Sequence, residues 1–260
     1  MEEIRVKETR RSSTTLTAEE QVARILHDTT LPVREKSRLV YETTSQIIDD
    51  LFKQTVTPQK IVQTKQTVSR LLDGVIHDEI TIASLLQVSS YDYYTYTHCV
   101  NVSVYAVGLG KEMGLKRNEL LRLGCGGILH DLGKSKVDHD LINKPGRLSD
   151  EEFMIVKNHP ALGYDLLKEM HESDAMILSI VRHHHEKLDG TGYPDGLKGE
   201  EVDFYARIVA ISDIFDALTT RRSYKPALST FEALGLMKNK MATELDTVLL
   251  KHFIQMMGKH

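Results

Sequence analysis

Seven residues stand out for the chemistry they could do together: His98, His130, Asp131, His159, His184, His185 and Asp213. Each lies inside or at the end of a stretch with helical signals, beside apolar neighbours. His98 precedes Val100, Val102 and Val104, and His130-Asp131 ends the run Gly127-Ile128-Leu129. His159 lies between Val156 and Leu162, His184-His185 closes Ile177 to Val181, and Asp213 follows Ile208 to Ser212. An unpaired buried carboxylate costs on the order of several kcal/mol, comparable with the whole stability of a domain. A divalent cation removes that penalty for several groups at once, and neutral imidazole with carboxylate suits iron, manganese, zinc or nickel. A lone histidine on an apolar face is more often a packed core residue. His27, His77, His139, His171, His252 and His260 are therefore assigned to packing or surface, and His183 is left open because three consecutive histidines cannot all point one way. Five histidines and two aspartates on five helices, with one His-Asp and one His-His pair, are hard to explain as packing. Adjacent His130 and Asp131 are about 100° apart on a helix, so both face one cleft only near its edge, which suits an aspartate between two ions.

Helices must carry these side chains, and the helix signals are dense. Thr17 and Glu20 have capping-box spacing before the apolar stripe Val22, Ile25 and Leu26. Pro32 suits a first helical position, and Thr57-Pro58 repeats a start signal. Glu79 to Val88 reads as a further short helix. Beyond Ser90 the spacing predicts helices over 91–113, 117–132, 149–169, 173–186, 203–219 and 229–257, with a capping box at Ser149 to Glu152. Strand-like alternation is scarce, so the fold class is all-α. Three parts follow: a polar, flexible tail over 1–16, an N-terminal helical segment over 17–88 without chemistry of its own, and the histidine-bearing helices over 89–260.

Composition sets bounds on the partners. The chain has 260 residues, 41% hydrophobic and 27% charged, enough apolar material for a sizeable core. With 33 basic and 37 acidic residues the formal charge is −4, which argues against a nucleic-acid polymer as partner. Cys99 and Cys125 are the two cysteines, so there is no disulfide framework, and a reducing cytoplasm is the simplest setting. The stretch from Tyr93 to Gly110 has no charge, yet Thr95, Thr97, His98, Asn101 and Ser103 make it too polar for lipid, and it reads as a buried or half-buried helix. The start carries no signal-peptide pattern, so neither export nor a membrane is expected.

The motifs also carry a family resemblance. His130-Asp131-Leu132-Gly133-Lys134 resembles the HD signature, and His184-His185-Glu186 with Asp189-Gly190-Thr191-Gly192-Tyr193-Pro194 resembles the HD-GYP signature. Asn143-Lys144-Pro145-Gly146 and Asp213-Ile214-Phe215-Asp216-Ala217-Leu218 are also typical of that family. The resemblance covers about residues 88–260 and implies a helical bundle of the HD-domain type. It further implies a bacterial metal-dependent phosphodiesterase acting on cyclic dinucleotides, chiefly cyclic di-GMP, with the linear dinucleotide or GMP as product. By resemblance, His98, His130, Asp131 and Asp213 would hold one metal and Asp131, His159, His184 and His185 the second, with Asp131 bridging. Lys134 would contact the scissile phosphate or assist the leaving oxygen, and Tyr193, Arg222 and Lys225 would help bind the dinucleotide. The loop around Gly192-Tyr193-Pro194 is implicated, in that family, in binding diguanylate cyclase domains, and homodimerisation is left open. Some members hold a third metal through a Glu one helical turn before the first histidine; Tyr94 stands there instead, so two metals are expected.

Two metals suit the reaction. A phosphodiester is anionic and resists hydroxide; paired cations lower the pKa of a bridging water and neutralise charge that builds on the phosphoryl oxygens. The expected nucleophile is that bridging hydroxide. Iron or manganese is the favoured metal pair, with zinc, nickel or magnesium open, since ligand type alone does not select the metal. Two rival functions remain: an HD-type phosphohydrolase of another nucleotide, and a non-catalytic cyclic-dinucleotide sensor. A P-loop reading of Gly127 and Gly133-Lys134-Ser135 fails, because five residues separate the glycines where the motif needs four.

Overall fold

Side-chain caps begin most of the helices. Thr17 Oγ1 accepts the amide of Glu20 at 3.2 Å while the Glu20 carboxylate accepts the amide of Thr17 at 2.8 Å, opening helix α1 (Ala18–His27). Pro32 stands just outside α2 (Val33–Lys53) rather than as its first residue, and Thr57 caps α3 (Pro58–Ile76) with Pro58 in the first turn. A computed structural model describes residues 16–77, 79–81, 84–85, 95–142, 144, 146–220 and 227–258. Most of the helix expected over 79–88 lies outside those residues, as do the tail before Leu16, Tyr94, Asn143, Pro145, Arg222 and Lys225.

The remaining helices are α4 (Thr95–Glu112), α5 (Arg117–Leu129), α6 (His139–Ile142), α7 (Asp150–Lys157), α8 (His159–Glu169), α9 (Ala175–His183), α10 (Phe204–Thr219), α11 (Thr230–Lys240) and α12 (Thr247–Met257). No strand occurs among the described residues, and the Asp189–Lys198 bridge stands alone. The architecture is all-helical, as the sparse strand patterning implied.

Two expected helices are each broken in two. The span 149–169 divides at Asn158 into α7 and α8. Pro160 has no N–H to offer the Val156 carbonyl four residues back, and that carbonyl takes Nδ1 of His159 instead, at 2.8 Å. The span 229–257 divides between Lys240 and Thr247, where Asp246 caps α12 and the Glu244 carbonyl accepts the Leu188 amide at 2.9 Å.

Helix α4 is the axis of the molecule, and every residue from Thr97 to Gly110 is buried. One side of it, with Cys99, Val100, Val104 and Val107, packs into a cluster shared with α1, α2, α3, α5, α8 and α9. The other, with Val102, Tyr105, Ala106 and Leu109, packs against α10, α11 and α12. A helix covered on all sides needs no polar stripe, which accounts for the lack of charge from Thr95 to Gly110. The N-terminal helices therefore share a continuous core with the helices that carry the histidines.

Candidate metal centre

The seven residues converge where α4, α5, α8, α9 and α10 meet. His98 lies in the first turn of α4, His130 caps the C-terminus of α5, and His159 opens α8. His184 caps the C-terminus of α9, with His185 next in the chain, and Asp213 lies within α10. Asp131 leaves the α-helical path (φ −93°, ψ 4°) and leads into a short 3-10 turn, Leu132–Lys136. Both residues of the His-Asp pair reach the cleft because the helix ends between them. The C-termini of α5 and α9 also bring partial negative charge to the place, which favours a cation.

The side chains form two adjoining groups, Asp131 with His159, His184 and His185, and His98 with His130 and Asp213. Within each group, ligand atoms lie within 4.8 Å of one another. Asp131 faces both. Its Oδ1 is 3.2 Å from His159 Nε2 and 4.0 Å from His184 Nε2, and its Oδ2 is 3.4 Å from His130 Nε2 and 3.9 Å from His98 Nε2. Asp213 Oδ1 is 3.1 Å from His98 Nε2, and its Oδ2 is 3.8 Å from His185 Nδ1.

Backbone carbonyls fix the imidazoles. His130, His159 and His184 each place Nδ1 on the carbonyl three residues earlier, of Gly127 (2.6 Å), Val156 (2.8 Å) and Val181 (2.9 Å). Nδ1 thus donates, and the Nε2 lone pair is turned inward, the tautomer a metal ligand needs. His98 does the same with a carboxylate: its Nδ1 donates to Asp216 Oδ2 at 2.6 Å.

A close backbone approach joins Asp131 to His159 within their group. A Cβ on Gly133 would fall 1.9 Å from the His159 carbonyl oxygen and 2.5 Å from the Gly163 amide nitrogen. Only glycine lets the turn after Asp131 lie against the start of α8.

The electrostatics suit cations. Burial pushes His184 well below the usual imidazole range, helped by the neighbouring imidazoles, and pushes His185 down to about 3 against the pull of Asp213. Both are neutral at physiological pH, the form that coordinates. Burial also works to lower His98, but hydrogen bonds with Asp213 and Asp216 outweigh it and raise this imidazole to about 9, so without metal its Nε2 carries a proton that a cation would displace. Burial works to raise Asp131, yet Lys134 and His130 outweigh it and hold the carboxyl well below its usual range. Asp213 is likewise depressed, with His98 outweighing burial. His130 Nε2 and Asp131 Oδ1 are buried and make no hydrogen bond of acceptable geometry. Buried polar atoms are rarely left so, and a bound cation would satisfy both. The donor set and these two atoms fit a binuclear metal site.

The other expected residues are placed as follows. Lys134 Nζ lies 2.5 Å from Asp131 Oδ2. Tyr193 is half-buried: its ring lies 4.7 Å from that of His185, with Lys157 Nζ 4.9 Å from its centroid. The aromatic body of Tyr193 is already packed within the site, so a base would meet it at its uncovered edge. Arg222 and Lys225 lie outside the described residues. His183 turns away from the clusters, its Nε2 3.1 Å from Asp195 Oδ2, where Arg182 also binds at 2.7 Å. His139 is fully exposed.

Three supporting residues, named in the sequence only as members of motifs or stretches, had no role assigned to them. Asp216 holds His98 from one turn beyond Asp213, and the argument that a buried acid on an apolar helix needs a partner would have found it. Asn101 Nδ2 donates to Asp216 Oδ1 at 2.8 Å. Glu186 is buried, and its carboxylate accepts the amides of Asp195 (2.6 Å), Gly196 (3.0 Å) and Leu197 (3.0 Å), which pins the Gly-rich loop beside His185. A Cβ on Gly192 would meet the Lys187 amide nitrogen at 2.3 Å, so this loop folds directly onto the backbone that follows the histidines.

An all-helical bundle that gathers histidines and aspartates from five elements around an HD pair defines a class. A family model described as HD domain matches residues 57–249, and the chain belongs to the HD-domain family. The cyclic di-GMP phosphodiesterase PA4108 of Pseudomonas aeruginosa is 34% identical over 74% of this chain and 46% of its own length. The cyclic di-GMP phosphodiesterase response regulator RpfG of Xanthomonas campestris is 38% identical over 49% of this chain and 34% of its own. The 3'3'-cGAMP-specific phosphodiesterase 3 of Vibrio cholerae is 34% identical over 59% of this chain and 33% of its own. The chain thus spans less than half the length of these curated relatives. In three dimensions Bd1817, an HD-GYP-type protein of Bdellovibrio bacteriovorus, superposes with a TM-score of 0.79 over 92% of this chain and 78% of its own, at 19% identity, which establishes the shared fold. Among the described residues no helix is long and apolar enough to cross a membrane.

Proposed function

We propose that this chain is an HD-GYP phosphodiesterase that hydrolyses a cyclic dinucleotide, cyclic di-GMP first, to the linear dinucleotide or GMP. The observation that carries the reading is the position of Asp131, a buried carboxylate whose two oxygens face separate groups of inward-turned ligands. That arrangement matches the division of labour expected of a bridging residue. His98, His130 and Asp213 would hold one cation, His159, His184 and His185 the other, and Asp131 both. Iron or manganese suits the mixed imidazole and carboxylate set. Such a pair supplies Lewis acidity and ionised water near neutral pH.

The protein's own groups do the rest. Lys134 is about a quarter exposed, with Nζ at the Asp131 carboxylate, where it can neutralise the scissile diester and donate a proton to the departing oxygen. Tyr193, held against His185, presents its edge and hydroxyl to the substrate. Arg222 and Lys225 are assigned to the dinucleotide on their motif positions.

The names of the relatives support both cyclic di-GMP and 3'3'-cGAMP, so the test compares them. Metal-loaded protein is incubated with cyclic di-GMP, 3'3'-cGAMP and a nucleoside triphosphate, and products are separated by chromatography. The expected result is cleavage of a ring and none of the triphosphate. A protein carrying two metals that opens neither ring would overturn the reading, and triphosphate hydrolysis alone would select the broader HD phosphohydrolase.

A further inference from the structure

A continuous line of hydrogen bonds leads from the metal centre into the N-terminal helices. His98 Nδ1 donates to Asp216 Oδ2 at 2.6 Å, and Asp216 Oδ1 accepts from Asn101 Nδ2 at 2.8 Å. Asn101 Oδ1 in turn accepts from the hydroxyl of Tyr41 at 3.0 Å. Tyr41 belongs to α2, Asn101 to α4 and Asp216 to α10, so three helices distant in sequence meet in one chain of contacts. All four side chains are buried, between 1% and 4% exposed, where water cannot replace a lost partner.

We propose that Tyr41 is a positioning residue for the metal centre and that the N-terminal segment thereby controls one of its two cation positions. The argument lies in the amide of Asn101. Its two ends are alike in shape and opposite in polarity. Asp216 can use only the NH2 end. That leaves the oxygen end toward α2, where the Tyr41 hydroxyl, 3.0 Å from it and 3.3 Å from the Thr97 carbonyl, is the donor that meets it. Without that hydroxyl the buried oxygen loses its donor, and the amide shifts to recover one at the expense of its bond to Asp216. Asp216 then loses the donor that steadies it, and the His98 ring it holds loses its aim. The effect is local, because His98 belongs to the group with His130 and Asp213, while His159, His184 and His185 are anchored on backbone carbonyls and their neighbours.

The proposal rests on the metal reading above, and the experiment separates the two. Metal-stripped full-length wild type and Tyr41→Phe are titrated calorimetrically with Mn2+, and the melting of both metal-free proteins is recorded. Supporting residues behind a ligand typically affect metal affinity by about 10- to 100-fold. Tyr41→Phe is expected to weaken one of the two sites about tenfold and leave the other within about twofold, with metal-free melting close to wild type. Asp216→Asn should weaken the same site, and the double variant should lose no more than Asp216→Asn alone, because both act along one line. Wild-type affinity at both sites of Tyr41→Phe overturns the relay, as do equal weakening of both sites or additive losses in the double variant. A wild type that takes up no divalent cation overturns the metal reading, and the relay with it.

Discussion

Replacing Asp131 with Asn should cost the protein much more stability when metal is present than when it is stripped. The carboxylate is 1% exposed, and its Oδ1 makes no hydrogen bond. Lys134 Nζ, 2.5 Å from Oδ2, compensates part of the charge. Asn preserves the shape and removes the charge, and Lys134, with about a quarter of its side chain exposed, can turn to water. The carboxyl is nevertheless held below its usual range by Lys134 and His130, so its charge stabilises the fold at pH 7, and metal-free Asp131→Asn is expected to melt a few degrees below metal-free wild type. Metal widens the gap. A cation at about 100 times its Kd stabilises by about 2.7 kcal/mol per site. For a chain of this size 1 kcal/mol moves Tm by about 2–4 °C, so each filled site should raise wild type by about 5–11 °C. The variant, deprived of the carboxylate that serves both groups, should rise by less than about 3 °C and lose ring cleavage. Thermal melts of stripped and Mn2+-saturated proteins, with bound metal measured by elemental analysis, provide the assay. A variant that binds two ions with the full rise would refute the bridging role. One whose deficit is the same with and without metal would show that Asp131 is a packing residue.

Two further outcomes follow from the packing around the site. Gly133→Ala places a Cβ 1.9 Å from a backbone oxygen where ordinary contact begins at 3.4 Å, so the turn and α8 must part by about 1.5 Å. Overpacking of this kind costs about 3 kcal/mol, or about 6–12 °C in Tm, and should weaken metal binding at the His159 group; unchanged melting and metal content would contradict it. The second concerns acid. Lys65 of α3 pairs with Glu172 at 2.6 Å, and although burial works to raise the Glu172 carboxyl, this pairing and backbone amides hold it below 4.5. A depressed folded-state pKa contributes stability above the unfolded value that is lost as pH falls through the folded one. Lys65→Met should therefore melt below wild type at pH 7, with the gap closing below pH 4.5, and a gap independent of pH would show that the pair contributes only packing.

The residues of the site were legible because burying them demands a reason. Imidazoles and carboxylates on apolar helices point to a shared partner before any coordinates exist, and the capping boxes at Thr17 and Ser149 mark helix starts through chemistry confined to four residues. The breaks inside 149–169 and 229–257 were harder. Apolar periodicity continues across Asn158; Pro160, which cannot serve the Val156 carbonyl, was the signal for the break, and the His159 ring that takes that carbonyl instead is visible only in the structure. Tyr41 carried no signal at all, since a tyrosine on an amphipathic helix reads as core.

Residue types and local spacing were thus sufficient for the helical class, the HD pair and the set of groups able to bind metal. Which groups share a cluster, which Asp131 oxygen faces which group, and how Tyr41 comes to stand behind His98 depended on helices 25 to 115 residues apart packing around α4. Side-chain chemistry and the first hydrogen-bonded turn are properties of neighbours in the chain. Distances between ligand atoms are properties of packing, and packing is settled only when every helix has found the face that covers it.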